Sequence, residues 1–337
     1  NKIREIIKEE LLEIKRKYSD DRRTEIIDSD DEIDIEDLIE KHECVITLTN
    51  SGYIKRIPAT NFRTQKRNGK GVKTQDDITN AVIRTNTIDS LMIFTNKGKM
   101  YRLLVDEIPV GTNVSKGQSI RSLVAMDSDE EAQVIYSIYR DTDAKYVLFV
   151  TKNGIVKKTA LEEYVKTKKK TGIASINIKD GDELAAVSLV KDEQLILITA
   201  KGMAIKFSSM DVSATSRATS GVKGITLNEE DYVVAALPIR NANDALAVFS
   251  ESGLGKKVAL TEFVTQKRSG KGIACYKTSE TTGDIIAAAL ISDEDNLLVC
   301  GLPNSICISA TEIPLLGRTS VGNQVMKGSK ILSVSKV

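Results

Sequence analysis

Short apolar runs separated by turn residues fill the chain from about residue 43 onward. Leu91-Met92-Ile93-Phe94, Tyr146-Val147-Leu148-Phe149-Val150, Leu195-Ile196-Leu197-Ile198 and Leu297-Leu298-Val299-Cys300 are rich in branched and aromatic types and bounded by turn formers. Runs of this length predict strands and are too short for buried helices. A turn containing Gly recurs beside such runs, and a basic residue follows that Gly by four positions: Gly52 with Arg56, Gly98 with Arg102, Gly154 with Lys158, Gly202 with Lys206, and Gly253 with Lys257. Asn50-Ser51-Gly52, Asn96-Lys97-Gly98 and Lys152-Asn153-Gly154 tolerate the positive φ that a tight hairpin needs. The anchor glycines are 46, 56, 48 and 51 residues apart, and a second glycine follows each by 18 to 22 residues, at Gly71, Gly117, Gly172, Gly224 and Gly272. Lys precedes that second glycine everywhere except at Gly172, where Thr171 stands. A sixth, weaker unit has Pro303-Asn304-Ser305 at its turn and Lys327-Gly328 at its end. Between units lies another apolar segment, such as Ala81-Val82-Ile83, Val134-Ile135-Tyr136 or Ile285-Ile286-Ala287. The pattern thus predicts six inner strands joined by six linking strands. A small all-β unit cannot bury both faces of its sheet alone, and radial packing of six such sheets solves that problem. Residues 43–337 are therefore predicted to form an all-β, six-bladed, propeller-like disc.

Residues 1–42 follow another period. Ile3, Ile7, Leu11, Ile14 and Tyr18 recur at spacings of four, four, three and four among Lys, Arg and Glu, which predicts an amphipathic helix. An acidic stretch then runs to Glu43. Residues 1–43 hold 9 Lys and Arg against 16 Asp and Glu, a net of −7, while the remainder holds 39 against 31, a net of +8. A nearly neutral total of +1 hides a basic disc joined to an acidic leader. A chain that opens in mid-helix without an initiator Met is expected to be a piece of a longer protein.

One loop is repeated at a separation of 201 residues: Gln65-Lys66-Arg67-Asn68-Gly69-Lys70-Gly71 and Gln266-Lys267-Arg268-Ser269-Gly270-Lys271-Gly272. Lys66, Arg67 and Lys70 place three positive charges within five residues, and Gly69 and Gly71 let the backbone approach a phosphate and expose its amides. A lone Gly/Lys loop is ordinarily a solvated turn, but recurrence in a repeat favours a phosphate-binding surface. Further bases extend the predicted track: Lys116, Lys166, Lys168, Lys169, Lys170, Arg217, Lys223, Arg318 and Lys327, together with the recurring Arg56, Arg102, Lys158, Lys206 and Lys257. Tyr and Phe are sparse near these loops, which argues against base stacking.

Composition narrows the class. With 41% hydrophobic residues but 4% aromatics and no Trp, the core must be filled by small and branched side chains. No apolar stretch approaches eighteen residues and no secretory leader is seen, so a soluble protein is expected. Cys44, Cys275, Cys300 and Cys307 lack close pairing, which favours a reducing cytoplasm, and with His42 as the one His they make no plausible zinc set. There is no Gly-x-x-x-x-Gly-Lys-Ser/Thr nucleotide loop, and none of the nine Tyr lies in a recognisable cleavage motif. No catalytic residue is expected in this chain.

The loop at 65–71, set in the first of six repeats and preceded by a helix ending Asp21-Arg22-Arg23-Thr24-Glu25, resembles the C-terminal DNA-wrapping domain of the bacterial DNA gyrase A subunit, together with the end of its breakage and reunion region. The family's box is Gln-Arg-Arg-Gly-Gly-Lys-Gly. Here Lys66 keeps the charge of the first Arg, and Asn68 replaces the first Gly while still tolerating positive φ. The family usually shows the full box once, so the second copy at 266–272 is a departure. The resemblance implies a β-pinwheel that bends duplex DNA around a basic rim in a chiral wrap, biasing ATP-driven strand passage toward negative supercoiling. It also implies that the first box helps close the disc against the last blade. The implied partners are duplex DNA, the gyrase B subunit and a second gyrase A subunit, with no membrane, in the cytoplasm at the nucleoid. ATP and Mg are implied for the whole enzyme and no cofactor for this chain. Two other readings stand beside it: the corresponding topoisomerase IV domain, which usually has a degenerate box and fewer blades, and a propeller-like scaffold for protein partners.

Overall fold

The structure, a computed structural model, describes residues 2–20, 38–61, 72–73, 79–138, 142–165, 171–302, 304–326 and 330–336. It divides into two units, Asn1–Leu38 and Ile39–Val337. In the first, a helix spans Lys2–Tyr18, with Glu5 in its first turn and Lys15, Arg16 and Lys17 in its last, each charge complementing the helix dipole. Its apolar residues Ile3, Ile7, Leu11, Ile14 and Tyr18 are exposed. Most of the acidic stretch after it lies outside the described residues.

The second unit contains six four-stranded antiparallel sheets, one per repeat. Blade 1 is built from Glu43–Thr49, Tyr53–Pro58 and Thr79–Asn86, and blade 2 from Ser90–Thr95, Lys99–Leu104 and Ala132–Ile138. Blade 3 uses Tyr146–Thr151, Ile155–Ala160 and Leu184–Val190; blade 4 uses Gln194–Thr199, Met203–Ser208 and Val233–Ile239. Blade 5 uses Ala245–Ser250, Leu254–Ala259 and Ile285–Ile291; blade 6 uses Asn296–Leu302, Asn304–Ser309 and Lys330–Lys336. The first two strands of each blade form the hairpin predicted at the anchor glycine, and Gly52, Gly98, Gly154, Gly202 and Gly253 all hold positive φ.

The third strands, expected to link neighbouring blades, are instead the innermost strands. Each pairs with the first strand of its own blade and carries a β-bulge near the hairpin end. Together they line a central cavity of about 480 Å³ through residues such as Ala81, Val134, Ala185, Val234, Ala287 and Val334. Small side chains there let six strands converge, which is consistent with the low aromatic content.

The fourth strand of each blade comes from the next repeat. Gln118–Ser119 completes blade 1, Ile173–Ala174 blade 2, Val222–Lys223 blade 3, Ile273–Ala274 blade 4 and Asn323–Gln324 blade 5. Val72–Lys73, from the first repeat, pairs with Asn304 and Ser305 of blade 6 and closes the ring. These outer strands also correct the glycine register. The residue entering the outer strand is Gly221 in the fourth repeat and Gly322 in the sixth, rather than Gly224 and Gly328.

Blade-to-blade packing follows from strand alternation. Ile46 and Leu48 of blade 1 pack with Leu91 and Ile93 of blade 2, while the interleaved Met92 and Phe94 pack with Val147 and Phe149 of blade 3. The same handover runs from Leu148 to Leu195, from Ile196 to Leu246, and from Ala247 to Leu297. Val45 meets Leu298 and Cys300 at the last seam. Every first strand is thus buried on both faces, which explains why its residues form continuous apolar runs.

Candidate nucleic-acid interface

The first box at 65–71 (Gln65, Lys66, Arg67, Asn68, Gly69, Lys70, Gly71) lies outside the described residues, as do Lys166, Lys168, Lys169, Lys170 and Lys327. The chain around it is informative: the segment enters from the turn Ala59–Asn61 of blade 1 and leaves into the strand that closes blade 6.

The second box is described in full and shows how such a loop is held. Coming from blade 5, it runs along the outer edge of blade 4 and touches the outer strand of blade 3 before it enters the outer strand of blade 4. The Gln266 amide donates to the Lys206 carbonyl at 2.7 Å, and the Ser269 amide donates to the Gly224 carbonyl at 2.6 Å. Ser269 holds φ +71, at the box position where Asn68 stands in the first copy. Its Oγ donates to the Lys223 carbonyl at 2.9 Å, and Thr226 Oγ1 donates to its carbonyl at 2.7 Å. Gly272 has φ +75, and a Cβ there would stand 2.3 Å from the Ala204 carbonyl oxygen, so only glycine lets the loop enter the sheet. Between these anchors the side chains of Lys267 and Lys271 are exposed, with no ion-pair or hydrogen-bond partner among the described residues. Arg268 is half-buried and donates to the carbonyls of Asp211 (3.1 Å) and Lys223 (3.0 Å). Lys223 itself is exposed, and exposed Lys116 sits 4.0 Å above the Tyr53 ring. Arg217 and Arg318 are half-buried at the same edge.

The base that recurs four residues after each anchor glycine is placed differently from the expected outward belt. Lys158 is 4% exposed and donates to the Ser209 carbonyl of blade 4 at 2.9 Å; burial lowers its pKa. Lys257 is 6% exposed and pairs with Asp293. Lys206 reaches the Leu260 carbonyl of blade 5, and burial lowers its pKa too. Arg56 of blade 1 pairs with Asp106 at 2.9 Å, and Arg102 of blade 2 donates to Ser90 Oγ and to the Val165 carbonyl at 2.8 Å. Four of these five, Arg56, Arg102, Lys158 and Lys206, thus grip the short turn that follows the middle strand of the next repeat. The sequence pattern located a real recurrence, but the residues serve the seams: an amine already enclosed and hydrogen-bonded is not presented to a phosphate on the rim.

Sequence reasoning missed a second lysine set. Lys55 Nζ donates to the carbonyls of Thr112, Asn113 and Ser115 (2.9, 3.1 and 2.7 Å), and Lys256 Nζ to those of Gly317 and Arg318 (2.8 and 2.6 Å). Each amine therefore sits inside the rim loop of the following repeat and fixes its backbone. Lys157 Nζ instead stays within its own repeat, donating to the Ser175 carbonyl at 3.0 Å. Burial lowers all three amines, Lys157 and Lys256 to about 8. The available signal was alternation: the counterparts of these lysines in other repeats are Tyr101, Ile205 and Ile306, all buried.

Comparisons with known proteins follow the same segmentation. A family model described as the DNA gyrase C-terminal domain, β-propeller, matches residues 45–80, 89–131, 145–191, 193–240 and 244–292. The DNA gyrase A subunit of Clostridium acetobutylicum is 39% identical over 346 residues, covering 100% of this chain and 41% of that protein. Its counterpart in Helicobacter pylori strain J99 is 35% identical over 330 residues, covering 96% and 40%. The chain therefore spans about two fifths of the length of these relatives. Among solved structures, a DNA gyrase A C-terminal domain superimposes with TM-score 0.78 at 28% identity, covering 87% of this chain and 99% of that one. A C-terminal domain of DNA topoisomerase IV does so with TM-score 0.68 at 29% identity, covering 89% and 94%.

Proposed function

Because the chain belongs to the DNA gyrase C-terminal β-propeller family, we propose that it binds duplex DNA without sequence preference, wraps it around the rim in one hand, and thereby biases ATP-dependent strand passage toward negative supercoiling. In this reading it acts within a complex containing the gyrase B subunit and a second gyrase A subunit, in the cytoplasm at the nucleoid. ATP and Mg belong to other parts of that enzyme, and this chain contributes no catalytic group.

The observation that carries the reading is the second box: a loop anchored by backbone hydrogen bonds on the outer strand of a blade, with Lys267 and Lys271 turned to solvent. Lys116 stands at the same position of the second repeat's loop as Lys271, and Lys223 lies exposed in the outer strand of blade 3, so positive charge recurs along the path a duplex would follow. The first box, with Lys66, Arg67 and Lys70, and the cluster Lys168, Lys169 and Lys170 extend the same track in sequence. Bending 20–30 bp by 40–90° costs on the order of 1–6 kcal/mol, so several phosphate contacts distributed along the curve are needed to offset it. Backbone-held loops lose little entropy on meeting phosphate, which suits that task.

The test is topological. The protein is incubated with relaxed plasmid and a nicking-closing topoisomerase, deproteinised, and the linking-number change is read on a gel. A positive shift that disappears when Lys66, Arg67 and Lys70 are neutralised supports chiral wrapping. Salt-sensitive binding without a shift would instead favour bending of the topoisomerase IV kind. Absence of binding would leave the protein-scaffold reading.

A further inference from the structure

The described residues show one acid–base arrangement at two seams, and an arginine held by backbone carbonyls in the same place at the seam between them. Arg217 Nε of the fourth repeat lies 3.7 Å from Glu163 of the third, and Arg318 Nε of the sixth lies 3.7 Å from Glu262 of the fifth. Arg318 also donates to the Ala274 carbonyl in the outer strand of blade 4, at 3.0 Å. Arg268 does the corresponding thing one seam earlier, donating to Lys223 of the outer strand of blade 3 and to the backbone of Asp211. In each case the arginine stands four residues before the glycine that enters an outer strand, and the acid stands three residues after the end of the preceding repeat's middle strand.

The sequence register extends this rule to all six units. In the sequence, the residues at these two register positions in the remaining units are Glu107 and Lys168, Glu312 and Arg67, and Asn61 and Asn113, with Lys168 and Arg67 outside the described residues. A base is found at the loop position wherever the preceding unit carries an acid, and the one unit with Asn in place of the acid has Asn in place of the base. A loop base serving only phosphate would have no reason to follow the residue of the preceding blade.

We propose that the third residue of the second box, Arg268, and its counterparts Arg217 and Arg318 are positioning residues. They staple the rim loop of one repeat to the blade before it, while the second and sixth residues, Lys267 and Lys271, are the ones that meet phosphate. This division of labour rests on the DNA-binding reading above. The planar guanidinium suits the staple because it reaches two acceptors at once, whereas a phosphate track needs no more than point charges on flexible stems.

Two measurements on the full chain test the inference. In a thermal double-mutant cycle, Glu262→Gln and Arg318→Gln should each lower Tm by about 2 °C, and the double variant should lose no more than the larger single loss, the mark of coupled partners. In titrations of a duplex at several salt concentrations, Lys267→Gln and Lys271→Gln should each reduce the log–log salt slope by about 0.9, the value for one phosphate contact. Arg268→Lys should leave that slope at the wild-type value yet lower Tm, because a lysine keeps the charge and loses the two-carbonyl fork. Additive losses in the cycle, or an Arg268→Gln variant that loses about 0.9 of slope at unchanged Tm, would overturn the staple. A slope indifferent to both lysines would overturn the function proposed above and the phosphate half of this inference, while the cycle decides the staple separately.

Discussion

Replacing Gly272 by Ala should be much more damaging than the same change at Gly270, two residues away in the same box. Two effects combine at Gly272. Its φ of +75 costs an L side chain about 1–2 kcal/mol. Its Cβ would also stand 2.3 Å from the Ala204 carbonyl oxygen, where contact of carbon with oxygen begins near about 3.3 Å. Ala204 belongs to the strand that Ile273 pairs with, so relief by about 1 Å means parting the two-residue outer ladder of Ala274 with Met203 and Ile273 with Ala204. Hydrogen bonds lost there contribute about 1 kcal/mol each and the unfolded chain returns about 0.4–1 kcal/mol of entropy, bringing the expected loss to about 2–3.5 kcal/mol. Gly181 separates the two effects, because it has φ +80 and nothing within 4 Å of a built Cβ. Gly181→Ala should therefore cost about 1 kcal/mol, the backbone strain less about 0.4–1 kcal/mol of entropy removed from the unfolded chain. Gly270 has neither problem, its nearest neighbours being Gln266 Oε1 and Ile205 Cδ1 at 3.4 Å, and Gly270→Ala should leave stability unchanged or raise it by up to about 1 kcal/mol. Calorimetry should then find Tm lowered by about 4 °C for Gly272→Ala, about 1.5 °C for Gly181→Ala, and not at all for Gly270→Ala. A Gly272→Ala protein no less stable than Gly181→Ala would refute the claim that strand exchange at blade 4 depends on a close glycine–backbone approach.

Lys157 and Lys256, lowered by burial to about 8, should make stability rise with pH from about 8 to 10.5, because in that window the unfolded chain keeps protons that the folded amines have lost. Cys44 and Cys275, pushed up by burial to about 11 and about 12, act in the opposite sense above pH 9. The informative measurement is therefore the urea midpoint of wild type relative to Lys256→Met, and a difference independent of pH across the window would sink the assignment. All four cysteines are buried, so a thiol reagent at pH 8 should label none in the native protein and four after denaturation; rapid native labelling of any of them would contradict the packing at its seam.

The helix at the start, the hairpins, the six-fold count and the location of rim loops were all legible in the chain, because their causes are local. A period near 3.6 or 2, a glycine where φ must be positive, and clustered lysines beside glycine each leave a signal within a few residues. The first strands were legible for a related reason: burial on both faces makes them continuous apolar runs, as in Leu195-Ile196-Leu197-Ile198. Tertiary structure alone decided which strand of each blade is innermost, since Val233–Ile239 and Gln194–Thr199 are both apolar and nothing local says which borders the cavity. It also decided strand exchange. A two-residue segment such as Val72–Lys73 has no preference of its own, and its partner Asn304–Ser309 becomes available only when the ring has closed. The fate of the recurring bases was settled the same way: Lys158 and Lys267 are chemically alike in sequence, but the next blade covers the first and leaves the second in water.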